Sequence, residues 1–170
     1  MSKKTILIIS YIIVLIIILI VGAVSIYMYL NNENIPTNID MNLLDKNMSQ
    51  EVNLNNSRMK NVTIDNVGEI FNIDKQKVKE VIGKVPLINI SSAMYVVIHT
   101  EKNSLDEVKN KLIQYGNNYE SEWATYMQDQ YELVKQRKIG NIGNYVYMVV
   151  YEIPEDLIKH IKGKKALIYN

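Results

Sequence analysis

From Thr5 to Leu30 the chain reads TILIISYIIVLIIILIVGAVSIYMYL, without one charged side chain. No other feature limits so sharply what the first thirty residues can become. Seventeen of the positions between Ile6 and Leu30 are Ile, Leu or Val. At about −0.3 to −0.6 kcal/mol each on insertion scales, they favour a bilayer by roughly 5–10 kcal/mol. As a helix the run is about 37 Å long, enough for a hydrocarbon core of about 30 Å. Tyr27 and Tyr29 suit an interfacial aromatic belt. Lys3 and Lys4 are the only charges before Glu33, and no basic residue follows until Lys46. The sequence therefore predicts a transmembrane helix touching lipid through residues 6–30, with a cytoplasmic N-terminus and the rest of the chain outside. A cleaved signal peptide, cut near Ala23-x-Ser25, is the competing reading. The apolar run outlasts a normal signal and continues through Ile26, Met28 and Leu30, so retention is expected.

The mean hydropathy of −0.07 averages this run with a polar remainder. Without Lys3 and Lys4, 17 basic residues face 18 acidic ones. So balanced a domain has no field for collecting polyanions, and no nucleic-acid partner is expected. The absence of cysteine removes disulfides, thiolate nucleophiles, cysteine-based zinc sites and an acylated lipoprotein anchor. About 110 residues can bury a core without such staples. The abundance of Ile and Asn suggests an AT-rich bacterial coding sequence. The Asn-x-Ser/Thr triplets at Asn47, Asn55, Asn61 and Asn89 are by-products of that richness.

Residues 31–60 are Asn-rich and weakly periodic, with Pro36 and the run around Asn53, Asn55 and Asn56 opposing regular structure. A tether is expected there, about 30 Å across if it is coil. A short helix over Met41–Leu54 is the alternative. The folded domain is expected over residues 61–170. Ile64, Val67, Ile70 and Phe71 fall at helical spacing, and a second helix is read from Val78, Val81 and Ile82, ended by Gly83 and Pro86. Ser92 to Thr100 alternates as a strand, with Met94, Val96 and Ile98 on one face and Ala93, Tyr95, Val97 and His99 on the other.

Ser104 and Glu107 match a capping box opening a long helix. Its apolar stripe is Leu105, Val108, Leu112, Tyr115, Tyr119, Trp123 and Tyr126, and Glu107 with Lys111 makes an i,i+4 pair. Leu133–Ile139 and Tyr145–Tyr151 read as a hairpin around Gly140–Asn144. Pro154 begins a last helix that Gly163 ends. The expected fold class is α+β: an N-terminal transmembrane helix, then a small, mainly antiparallel three-stranded sheet covered by a long helix, in the order α-α-β-α-β-β-α. Residues 1–30 are the cytoplasmic stub and anchor, 31–60 the tether and 61–170 the extracytoplasmic domain.

Four strings carry a family resemblance: VGEIFNID leading to Val81, the SSAMYVVIHTE strand, YMQDQYELVKQRKI and the GNYVYMVV strand. Over about Val62 to Glu152 the chain resembles a family of small extracytoplasmic bacterial proteins known as domain of unknown function 4358. Its motifs are hydrophobic patterns with a Gly-Asn-Tyr hairpin, which specify fold more than chemistry. The resemblance implies a lipoprotein or single-pass anchored protein of spore-forming, Gram-positive-type bacteria, and this chain departs from the lipoprotein form by lacking cysteine. The genomic company of some members implies a role near envelope acyltransferase systems. It implies no activity, cofactor or site residue.

The residues themselves carry no metal, nucleotide or nucleophile motif, and neither catalysis nor a cofactor is expected. His99 ends a strand and His160 lies in a charged helix, neither at metal-ligand spacing. Glu120 with Glu122 and Glu155 with Asp156 read as solvated helix faces. The most suggestive feature is tyrosine. Tyr145, Tyr147 and Tyr151 share one strand face, and Tyr95 and His99 share another. Together they would make an interaction face able to stack on sugar rings or bury against protein. The plainer reading is the second side of a small sheet, covered by the short helices. The preferred role is a non-catalytic module of the cell envelope, binding an envelope protein or glycan. The alternative is an accessory or cryptic enzyme of an envelope polymer-modifying system, centred on His99.

Overall fold

Strict alternation makes Met94–Thr100 the centre of the fold. Its odd and even side chains need two separate apolar surroundings, and every residue of it except His99 is buried. The computed structural model describes residues 3–31, 39–51, 58–88 and 90–162, with side chains of the first helix described over 11–25. Outside them lie the side chains of Lys3, Lys4, Tyr27 and Tyr29, two stretches of the expected tether (32–38 and 52–57), the triplets' Asn55 and Asn89, and the expected stop at Gly163. The chain divides into two compact units, Met1–Ile35 and Pro36–Asn170.

The first unit holds helix α1 (Lys3–Asn31). Its described side chains carry no charge, and the large apolar ones from Tyr11 to Val24 are 48% to 69% exposed. Among the described residues, no helix is long and apolar enough to cross a membrane. The expected architecture is therefore corrected on this count.

In the second unit, α2 (Met41–Glu51), β1 (Met59–Asn61), α3 (Val67–Phe71), β2 (Val78–Pro86), β3 (Met94–Thr100), α4 (Leu105–Trp123), α5 (Gln128–Lys135), β4 (Lys138–Ile142), β5 (Tyr145–Val150) and α6 (Pro154–Ile161) follow in turn. The strands form one five-stranded sheet, order β1-β2-β3-β5-β4, antiparallel throughout. This corrects the three-stranded expectation. The residues read as a second helix are strand β2. There Val78 lies opposite Thr100 and Glu80 opposite His99, so Lys79 is an extra, bulged residue. The bulge puts Val78 and Val81 on the same face at a spacing of three, which imitates a helix. Gly83, taken as a helix stop, sits mid-strand: a Cβ there would lie 2.6 Å from the Tyr95 carbonyl oxygen.

The predicted strand at Leu133 is instead the end of α5. Met127, Tyr131 and Val134 follow the helical period, and the hairpin turn shrinks to Gly143-Asn144, with Gly143 at φ 55°. The capping box does not form. Ser104 makes no side-chain cap, and the Glu107 carboxylate pairs with Lys77, not with Lys111.

Helices cover both sheet faces. On one, Val108, Leu112, Tyr119 and Trp123 of α4 pack with α3 and α5 over Met94, Val96, Ile98, Val146 and Met148. Arg137 fastens this layer, donating to Glu120 at 2.5 Å and to Asn117 at 2.9 Å. On the other face, Met41, Leu44 and Met48 of α2 and Leu157, Ile158 and Ile161 of α6 cover Ile82, Tyr95, Val97, Tyr145 and Val149. Residues 41–51, within the stretch expected as coil, are thus an ordered helix whose 3–4 spacing closes a second core.

Candidate functional site

β1 pairs with only the last part of β2: Asn61 lies opposite Lys84 and Met59 opposite Pro86. One further bond follows, from the Val62 N–H to the Gly83 carbonyl at 2.9 Å. The chain then turns away through Thr63 to α3. Val78–Ile82 keep β3 on one side, and among the described residues no strand pairs with them on the other. Bulges re-aim side chains, and this one sets Glu80 across from His99. The Glu80 Oε2 lies 3.6 Å from the His99 Nδ1.

The opposite wall is the start of α2. Asp40 caps it, accepting the Leu43 N–H on its carboxylate at 3.0 Å and the Leu44 N–H on its carbonyl at 2.9 Å. Just before it, the Ile39 N–H donates to the Tyr145 hydroxyl at 3.0 Å. Tyr145 in turn stacks on His99, 4.3 Å between ring centroids and 23° from parallel. Between these walls and Thr63–Ile64 lies a cleft of about 720 Å³. Among the described residues that line it, the charged side chains are two carboxylates, Asp40 and Glu80. Hydrogen-bond acceptors, an open strand edge and apolar side chains suit capture of a partly apolar, cationic ligand. Among the described residues no acidic or histidine cluster could hold a metal ion.

The tyrosine residues read from the sequence do share one sheet face, yet they differ in access. Tyr95 is fully buried under α2, its hydroxyl donating to Asp45 at 2.8 Å. Burial first, then Asp45, pushes its pKa up. Asp45 also lies 4.0 Å from the ammonium of Lys84, which donates to Asn61 at 2.6 Å. This network fastens α2 to the sheet. Tyr145 is 1% exposed. Tyr147 is half-buried and lies across β4, its hydroxyl 2.6 Å from where a Cβ on Gly140 would stand. Tyr151 is half-buried, with its pKa raised by burial and then by Glu152. His99 is half-buried beside Glu80. His160 is elsewhere, on α6, 3.3 Å from Glu51.

The aromatic stripe of α4 is core through Tyr115, Tyr119 and Trp123, while Tyr126 is 61% exposed. The Tyr119 hydroxyl donates to the Ser92 carbonyl at 3.2 Å. Asp40, Glu80 and Val81 were missed by sequence reasoning. The signal for Asp40 was an Asp ahead of Met41, Leu44 and Met48, hidden in an Asn-rich background. For Glu80 and Val81 the bulge erased the signal.

Five antiparallel strands with helices on both faces, and a cleft where the second strand loses its neighbour, define a small α+β domain with one sheet edge open. Within that class the chain belongs to the domain of unknown function 4358 family (DUF4358), whose model matches residues 52–151. The matched stretch contains all five strands together with α3, α4 and α5; α2 and α6 lie outside it. No curated protein and no solved structure matches the chain.

Proposed function

We propose that this chain is a membrane-anchored, extracytoplasmic interaction module of the bacterial cell envelope, binding an envelope protein or glycan without turnover. The observation that carries the reading is α1, whose large side chains from Tyr11 to Val24 are apolar and exposed around the helix. Twelve such residues half exposed to water forgo about 10–20 kcal/mol of burial, as much as the whole net stability of a folded domain, whereas lipid accepts them. The charge-free sequence from Ile6 to Leu30, with Lys3 and Lys4 ahead of it, supports attachment to a bilayer with the N-terminus on its cytoplasmic side. The second unit offers a cleft suited to capture, and its most distinctive tyrosines serve the packing of the fold.

Protease added to intact protoplasts tests the location: the C-terminal unit is expected to be digested before lysis, and its survival until lysis would overturn the reading. Cross-linking in intact cells followed by pulldown tests the role, with an envelope partner expected. The contact of His99 with Glu80, which lines the cleft, favours a second reading, an accessory enzyme of an envelope polymer-modifying system. Turnover of wall polymers that disappears in His99→Ala would select it.

A further inference from the structure

The open half of β2 carries a binding mode as well as a cleft. Antiparallel pairing directs the backbone groups of alternate residues to one neighbour and those of the residues between to the other. The Val62 N–H bonds the Gly83 carbonyl, so Gly83 faces the β1 side, and period two turns Val81 the same way. The ladder with β1 has ended by then. Val81 therefore presents its N–H and C=O to the cleft that it lines. Exposed strand edges of this kind template the addition of another strand.

We infer that the β2 edge at Val78–Ile82 takes an extended segment of a partner protein as an added strand, with Lys or Arg side chains of that segment on Asp40 and Glu80. The charge of the cleft selects this occupant, since among the described residues that line it the ionisable groups, Asp40 and Glu80, are acidic. Apolar side chains beside them, Ile39 and Ile64, receive the partner's alternate residues, which in a strand point to opposite faces. The inference rests on the reading of the chain as an interaction module, and adds the partner's chemistry and its mode of capture.

The test uses the full chain in detergent micelles with three synthetic probes. One is an extended Val/Thr peptide flanked by Lys; the second replaces Lys by Glu; the third N-methylates alternate amides of the first. Saturable binding of the Lys-flanked peptide is expected, with exchange of the Val81 amide slowed by about tenfold or more. The Glu-flanked and N-methylated peptides should bind at least about tenfold more weakly. Asp40→Asn together with Glu80→Gln should weaken the first peptide by a similar factor; Asn at position 40 still caps α2. Added salt should weaken it too.

Equal binding of the N-methylated peptide would overturn strand addition, and equal binding of the Glu-flanked one would overturn the charge assignment. Self-association that protects Val81 without any peptide would give the edge to a second copy and overturn the inference. If cells yield an envelope partner whose recovery the double variant leaves unchanged, the edge assignment falls and the module reading stands. If the peptide binds as expected and cells yield no partner, the module reading falls alone.

Discussion

Leu44→Ala tests whether α2 is part of the fold. Leu44 is 3% exposed, against the second core, while its neighbour Leu43 on the same helix is 53% exposed. Truncating a buried leucine removes its transfer energy and leaves a cavity, together about 2–5 kcal/mol. Truncating an exposed one stays within about 0.5 kcal/mol. Both substitutions keep good helix formers, so propensity differs little between them. For a domain of this size, about 2–5 kcal/mol corresponds to a drop in Tm of roughly 6–20 °C. The one tryptophan, Trp123, lies in the first core, across the sheet from Leu44. Its fluorescence during urea unfolding therefore reports whether a cavity on one face destabilises the other. A fall in the Trp123 midpoint for Leu44→Ala, with none for Leu43→Ala, is expected. Equal midpoints would show that α2 is a tether resting on a domain complete without it.

Trp123→Ala should cost about 3–5 kcal/mol, because the ring is 4% exposed and meets Tyr119 and Tyr126 edge-on; an unchanged thermal midpoint would contradict that placement. Gly83→Ala should destabilise by about 1–3 kcal/mol or more, since its Cβ would meet the backbone of Tyr95 and Val96; wild-type stability would mean the strands can part there without cost. Stability should fall above about pH 10, where tyrosines of an unfolded chain ionise. Burial raises Tyr95, Tyr119 and Tyr115, the last to about 12, so above pH 10 the unfolded state holds fewer protons than the folded one. That contribution is complete below about pH 10 and is lost as pH climbs toward 12. Phenolate absorbance rising in one step near pH 10 for all twelve tyrosines, with the native circular dichroism intact, would refute it.

The sequence was most legible where one surface dominates an element. β3 alternates cleanly because each of its faces meets a different core, and α4 keeps its stripe because one side lies on the sheet. Errors fell where local geometry departs from a simple period. One bulged residue, Lys79, set Val78 and Val81 three apart and made a strand resemble a helix. Leu133 and Val134 look like strand residues in isolation, but Met127 and Tyr131 before them complete a helical face. β1 is too short, at three residues, to leave a pattern in an Asn-rich stretch. The candidate cleft was illegible for a different reason: it exists only where one strand outlasts its neighbour. Hydrophobic pattern gives a residue's face; it does not reveal where pairing stops.

The division between family region and flanks adds a physical constraint. The family match holds the whole sheet and the helices of its first face. Those helices cannot cover the second face, where Tyr95, Val97, Tyr145 and Val149 are nearly inaccessible. The cover comes from α2 and α6, beyond the two ends of the match, and they also meet each other: Lys159 donates to Glu51 at 3.2 Å. Tyrosine suits such a face because its ring is buried while its hydroxyl finds a partner on the covering segment. Tyr95 finds Asp45 and Tyr145 finds the Ile39 backbone. The second contact sits where α2 begins, so the bond that seats this helix also sets one wall of the cleft. Tyr145→Phe would keep the ring and its stack on His99 but free Ile39. A cleft held by that bond should then lose affinity for the Lys-flanked peptide while the Trp123 unfolding midpoint falls by only about 1 kcal/mol in equivalent stability. Affinity left untouched would mean that the wall is held by the Asp40 cap and the burial of Met41 instead.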